Sequence, residues 1–294
     1  EFNNICGGNV FRLASKHPGK IRFQSDPFYL GYSGDLHFFK KDKGTQDITV
    51  FAKFPPAIFN SRMSGGVFEG SNDISFRQKD TLFVIDNKPV RLFSTANITD
   101  TAKYRYIRYF GPNNGYCNVA ELAFYDKYGS RLQGKPVGTS WGKAHDYHKA
   151  FDGTTLTSFD DFKPSGGWAG MDFGKAVTVS EIIYSPRNYD NYVREGDRYE
   201  LFYCDGIWKS AGQAIASSDS LVFHDVPAGT LYLLKNHSRG VQERAFAYEN
   251  GKQLWDREIE TVFQAREIPE EKLHPSIARM SYEKTWEGHY TYTY

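Results

Sequence analysis

Apolar residues in this chain recur in short period-two runs, the spacing of a strand with one buried face, and this constrains the fold more than any other feature. Residues 47–51, 81–85, 104–109, 180–184 and 199–203 all carry the pattern, and most of these runs close on Gly, Pro, Asn or Asp. No convincing 3.6-residue periodicity precedes the C-terminal tail. Strands without intervening helices pack as antiparallel sheets face to face, so the expected class is all-β. An aromatic content of 16%, against only three methionines, agrees with strands rather than helices.

At 294 residues the chain exceeds one ordinary domain, which predicts two. A weak internal repeat suggests how they divide. Glu121 and Gly129 are spaced as Glu243 and Gly251 are, each pair framing an apolar strand. Upstream of each, a hydrophobic run enters a polar, Gly-containing loop (residues 106–115 and 231–240), and residues 67–76 answer residues 201–208. The expectation is two tandem sandwiches, residues 1–127 and 128–256, followed by a charged tail at 257–294. Asp256 to Lys272 is dense in charge, Glu267 to Lys272 reads as a linker or one exposed helix, and residues 290–294 alternate like a strand.

Thirty-six basic against thirty-five acidic residues leave a formal charge of +1, so no global field favours nucleic acid or an anionic membrane. No segment approaches the roughly 18 apolar residues of a membrane span, so no membrane insertion is expected. Cys6, Cys117 and Cys204 lie far apart without metal-ligand spacing, and buried free thiols are expected.

One stretch carries a recognisable order of motifs. An A-x-D-G turn starts at Ala150 and holds Asp152, and Thr157 and Phe159 follow as T-x-aromatic. Trp168, Asp172 and Gly174 form W-x-x-x-D-x-G, a strand ends at Pro186 and Arg187, and a Y-E-hydrophobic strand starts at Tyr199. This order resembles the discoidin, or coagulation-factor type C, family. Residues 63–126 resemble that family's closing half, through residues 70–73, 106–108 and 118–125, while residues 1–62 lack the A-x-D-G turn. The resemblance implies a jelly-roll sandwich of the galactose-binding-like type for each copy, with ligands taken by loops at one end. It also implies an extracellular, cell-surface or periplasmic setting, since such modules are appended to exported bacterial glycan-processing proteins.

The resemblance further implies a structural calcium held by Asp152, Thr157 and Glu243, whose oxygens suit a hard cation. The alternative is that Asp152 only caps its own turn. Thr154 stands where the family often has a further Asp or Asn. Glu121 is the equivalent acid of the first copy, without a matching turn.

Sugars are held by an aromatic face and by polar side chains that replace lost water. Arg187, Tyr189 and Asn191, beyond a strand, and Asp160 and Asp161, in the preceding loop, are therefore the candidate ligand residues, with Trp141 and His145 as secondary ones. For Arg187 the competing reading is a buried structural arginine paired with a carboxylate. Trp168 and Trp208 read as core residues, and Tyr116 as a corner residue rather than a stacking platform.

No nucleophile elbow, H-E-x-x-H helix, P-loop or dinucleotide fingerprint occurs, and no carboxylate pair stands out, so catalysis is not expected. The function expected is non-catalytic glycan binding through sandwich-end loops. The alternative is a protein-contact or spacer module that orients a neighbouring exported domain.

Overall fold

The computed structural model describes residues 8–11, 14–17, 20–24, 28–39, 44–55, 58–87, 89, 91–140, 146–205, 207–240, 242–265, 281–284 and 290–293. Strand dominates these residues. The helical pieces among them are short: α1 (Ile58–Ser61), a 3₁₀ turn at Tyr147–Phe151, and α2 (Arg257–Glu260). The all-β expectation holds.

The chain opens with β1 (Asn9–Phe11), the hairpin β2 (Ala14–His17) and β3 (Lys20–Gln24), then β4 (Phe28–Leu30), β5 (Leu36–Phe38) and β6 (Thr45–Val50). Eight strands follow: β7 (Val67–Ser71), β8 (Asp80–Val84), β9 (Ser94–Asn97), β10 (Tyr104–Phe110), β11 (Glu121–Tyr125), β12 (Lys135–Gly138), β13 (Trp168–Val177) and β14 (Glu181–Ser185). They form a five-stranded sheet, β12-β13-β10-β7-β8, and a three-stranded sheet, β11-β14-β9. Phe68, Ile107, Tyr109, Ala169 and Met171 from the first sheet and Ala96, Leu122, Phe124 and Ile182 from the second share one buried cluster, so the sheets pack face to face. β10 is the central strand, paired with β13 and β7, and its run of Tyr and Ile fits burial on the inner face. Its outward Arg108 is also covered: it pairs with Glu69 at 2.7 Å and lies over the Phe76 ring at 4.0 Å. Close packing requires Gly170, where a Cβ would stand 2.5 Å from the Ile107 carbonyl oxygen.

A second sandwich combines β15 (Arg198–Cys204), β16 (Trp208–Ile215), β17 (Leu221–Pro227), β18 (Leu231–Asn236), β19 (Phe246–Glu249) and β20 (Lys252–Leu254) with β6. Its sheets are β16-β15-β18-β19-β20 and β17-β6. Ile48 and Val50 of β6 pack with Leu221, Phe223, Tyr199, Leu201, Tyr232 and Phe246. The opposite face of the larger sheet is covered too, because Cys204, Leu231 and Ala247 join Tyr29, Ile259 and Phe263 in a third cluster. Tyr29 belongs to a small sheet in which β1, β4, β5 and β21 (Gln264–Ala265) lie side by side. The chain closes on the hairpin β22 (Ser281–Lys284) and β23 (Tyr290–Thr293). The strand read at the C-terminus is thus present. In the tail, α2 buries Ile259, while the segment Glu267 to Lys272, read as a linker or one exposed helix, lies outside the described residues.

The division at residue 127 needs correction. β10 pairs with β13, and β11 with β14, so strands from both sides of that position share each sheet of one sandwich. β6, expected in the first sandwich, pairs with β17 of the second, where Ile48 and Val50 find apolar partners. The first sandwich is therefore inserted between β6 and β15 of the second. The two crossing segments lie side by side, with Lys53 N–H donating to Asn191 O at 3.0 Å and Val193 N–H to Phe51 O at 2.8 Å.

Candidate functional site

The loop entering β13, the loop leaving β14 and the loop entering β11 meet at one end of the first sandwich. Several non-glycine residues there hold left-handed backbone: Tyr116 (φ 55°), Cys117 (φ 49°), Tyr189 (φ 50°) and Asp190 (φ 60°). Such conformations cost about 1–3 kcal/mol each and persist where surrounding contacts impose them, often at binding sites. Here those contacts are visible: Tyr116 N–H donates to Pro164 O at 3.1 Å, and Asp190 N–H to Asn188 Oδ1 at 3.0 Å.

A cleft of about 210 Å³ opens between the 155–158 loop and residues 187–189. Its rim carries Tyr189, 54% exposed, and Leu156, also exposed. The Arg187 guanidinium lies over the Tyr189 ring, 4.5 Å from its centre, and bonds the Tyr189 hydroxyl. Its Nη1 donates to Asp160 Oδ2 at 2.5 Å. Asp160 in turn accepts from Asn118 Nδ2, and Arg62 Nη1 donates to Asn118 Oδ1 at 3.1 Å while lying over the Tyr116 ring. A chain of polar groups thus runs from Arg62 to Tyr189. Arg187 pairs with a carboxylate and at the same time lines the cleft.

The other candidates fall differently. Asn191 is 1% exposed and its amide is used internally, with Oδ1 accepting from Phe54 N–H at 2.9 Å and Nδ2 donating to Pro55 O at 3.3 Å. It pins the chain crossing and does not face the cleft. Asp161 is buried and accepts from Lys163 N–H at 2.9 Å and from the Thr139 hydroxyl. Trp141 and His145 lie outside the described residues. Trp168, expected in the core, is half-buried on the outer face of its sheet, where it packs against Phe76 with ring centres 5.7 Å apart and under the Arg108 guanidinium, because its neighbours Ala169 and Met171 take the inner face. Trp208, also expected in the core, stands 40% exposed on β16, the edge strand of its sheet. Tyr116 is held between the Arg62 guanidinium, 5.1 Å from its ring centre, and the Pro164 carbonyl.

Beside the cleft lies the A-x-D-G turn. Gly153 (φ 81°) takes the left-handed bend, and its N–H donates at 2.7 Å to Oε1 of Glu121, the first residue of β11. Asp152 accepts from Thr157 Oγ1 at 2.8 Å, from Thr154 N–H at 3.1 Å and from Lys149 Nζ at 3.2 Å. Burial pushes the Asp152 carboxyl up, but these hydrogen bonds outweigh it and hold it below its usual value. Glu121 is 8% exposed, and burial lifts its carboxyl to about 7, with the Asp152 carboxylate beside it adding to the rise. The acid over this turn is therefore Glu121 and not Glu243. Glu243 sits near Lys53, Lys235 and His237, whose charges pull its carboxyl down, though burial raises it by more. The reason is topological: Glu121 and the turn belong to one sandwich, Glu243 to the other.

Two adjacent carboxylates and the Thr157 hydroxyl form an oxygen-only donor set, as a hard cation requires. The buried Glu121 carboxyl, costly to ionise alone, fits such a group. Among the described residues no three His, Cys, Asp or Glu side chains converge, so further ligands would have to be carbonyl or water oxygens. Among them, too, no helix is long and apolar enough to cross a membrane. The chain matches no protein-family model, no curated protein and no solved structure.

Proposed function

We propose that the protein binds a glycan, without catalysis, in the cleft bounded by Tyr189, Leu156 and Arg187, on a discoidin-like first sandwich. The observation that carries this reading is the Tyr189 ring, exposed on the rim of a cleft whose neighbouring polar groups can exchange hydrogen bonds with hydroxyls. Aromatic faces contact the C–H groups of sugars, and the Arg187, Asp160 and Asn118 set offers both donors and acceptors. Calcium held by Glu121, Asp152 and Thr157 would stiffen the 152–157 loop that forms one wall. An exported setting accompanies this reading, as the resemblance implies.

The test is a glycan array on the full chain, followed by titration calorimetry on any hit. Tyr189→Ala is expected to weaken binding roughly tenfold, the upper end for one aromatic contact. A silent array, or equal affinity in the variant, defeats the reading. The second reading, a surface for a neighbouring domain, is favoured by one observation: Ile207, Trp208 and Ile215 are exposed at the β16 edge of the second sandwich.

A further inference from the structure

The crossing between the two sandwiches buries a lysine. Lys53 is 0% exposed, and its Nζ makes no hydrogen bond of ordinary length; the facing carboxylate oxygen, Asp190 Oδ2, stands 3.6 Å away. The other Asp190 oxygen accepts from Arg194 Nε, and that guanidinium also donates to Thr155 and to Asn188 Oδ1. Glu243 lies within electrostatic reach of Lys53, and the next residue, Arg244, donates its N–H to Lys53 O at 3.1 Å. Arg194 and Asp197 are the other charges that act on Lys53. The geometry is fixed from the backbone: Asn191, next to Asp190, accepts from Lys53 N–H through both its carbonyl and its side chain. Amine and carboxyl are thus held face to face in a dry site, the arrangement that lowers the barrier to an intramolecular reaction.

We propose that Lys53 and Asp190 condense to an isopeptide bond that ties the two crossing segments together, with Glu243 relaying the proton and Arg194 polarising the Asp190 carboxyl. The lysine nitrogen attacks the Asp190 carboxyl carbon, a C–N bond forms, and one C–O bond breaks. The ammonium gives up two hydrogens, both of which leave on the departing oxygen as water, and Glu243 is returned unchanged. No oxidant or external reactant is needed. Burial favours the product, because a neutral amide escapes the desolvation cost that an ion pair bears in a dry interior. Burial also lowers the Lys53 ammonium, favouring the nucleophilic amine despite the opposing pull of Asp190, and raises Glu243 toward its proton-carrying form.

The intact mass of the purified full chain tests this. The expected result is a mass short of the sequence by one water. Fragmentation spectra should place the loss on a branched peptide joining the Lys53 and Asp190 segments. Lys53→Arg and Asp190→Ala should restore the full mass. Should either fail to fold, Glu243→Gln, a near-isosteric change, is expected to keep the native circular dichroism while leaving the bond largely unformed. Asp190→Asn gives a second signature, since the same attack would then expel ammonia. A wild-type chain at full sequence mass after prolonged incubation overturns the proposal and leaves the pair as an ion pair. So does a water loss mapped to a single unbranched peptide.

Discussion

Glu121 keeps its proton to about 7 in the native protein, whereas in the unfolded chain the ordinary value is 4.5. A group whose folded value is raised contributes stability that is complete below the unfolded value and disappears as pH rises through the folded one. With a chelator present, the thermal midpoint should therefore decline between about 4.5 and about 7. Glu121→Gln should flatten that decline, and calcium should restore the wild-type midpoint above neutrality. The same slope in both proteins, followed by calorimetry across this pH range, would refute the assignment. Tyr189 is the other residue on which the site rests. Its type and loop position were readable in the sequence, but the left-handed backbone that presents it was not, because no glycine marks the place.

At the scale of elements, the strands were legible and their partners were not. β10 and β15 stand out in the sequence because alternating aromatic and aliphatic residues suit a pleated, half-buried surface. Pairing is a long-range property, and local periodicity carries no record of it. Hence Glu243, matched to Glu121 by spacing, ended in another sheet system, and the turn motif at Asp152 was completed by an acid that precedes it in the chain. Asn191 misled for a related reason: a polar loop residue looks the same in sequence whether it faces solvent or pins another segment. β6 offers a direct check. Ile48 is fully buried against β15 and β17 residues, so Ile48→Ala should cost about 2–5 kcal/mol, read by denaturant unfolding of the second sandwich. A loss confined to the first sandwich, followed through its own aromatic signals, would contradict the pairing of β6 with β17.

At the scale of the whole molecule, insertion makes a prediction about fragments. Residues 58–187 contain both sheets of the first sandwich and its whole buried cluster, and should fold alone with a cooperative transition. Residues 128–256, the unit expected from the repeat, lack β6, β7, β9, β10 and β11 and should not, leaving β13 and β14 without their main partners. Amide chemical-shift dispersion separates the two outcomes, and a well-dispersed spectrum from 128–256 would refute the insertion. The adjacent crossing segments also set a mechanical property. A pull applied through the strands that flank the insertion, β6 and β15, enters the outer sandwich first. It is borne by the hydrogen bonds around Ala52 and Tyr192, which in this antiparallel pair are loaded one after another from the outer end. While those bonds hold, the inner sandwich hangs beside the line of force and carries no tension. Its cleft would keep its shape on a stretched chain.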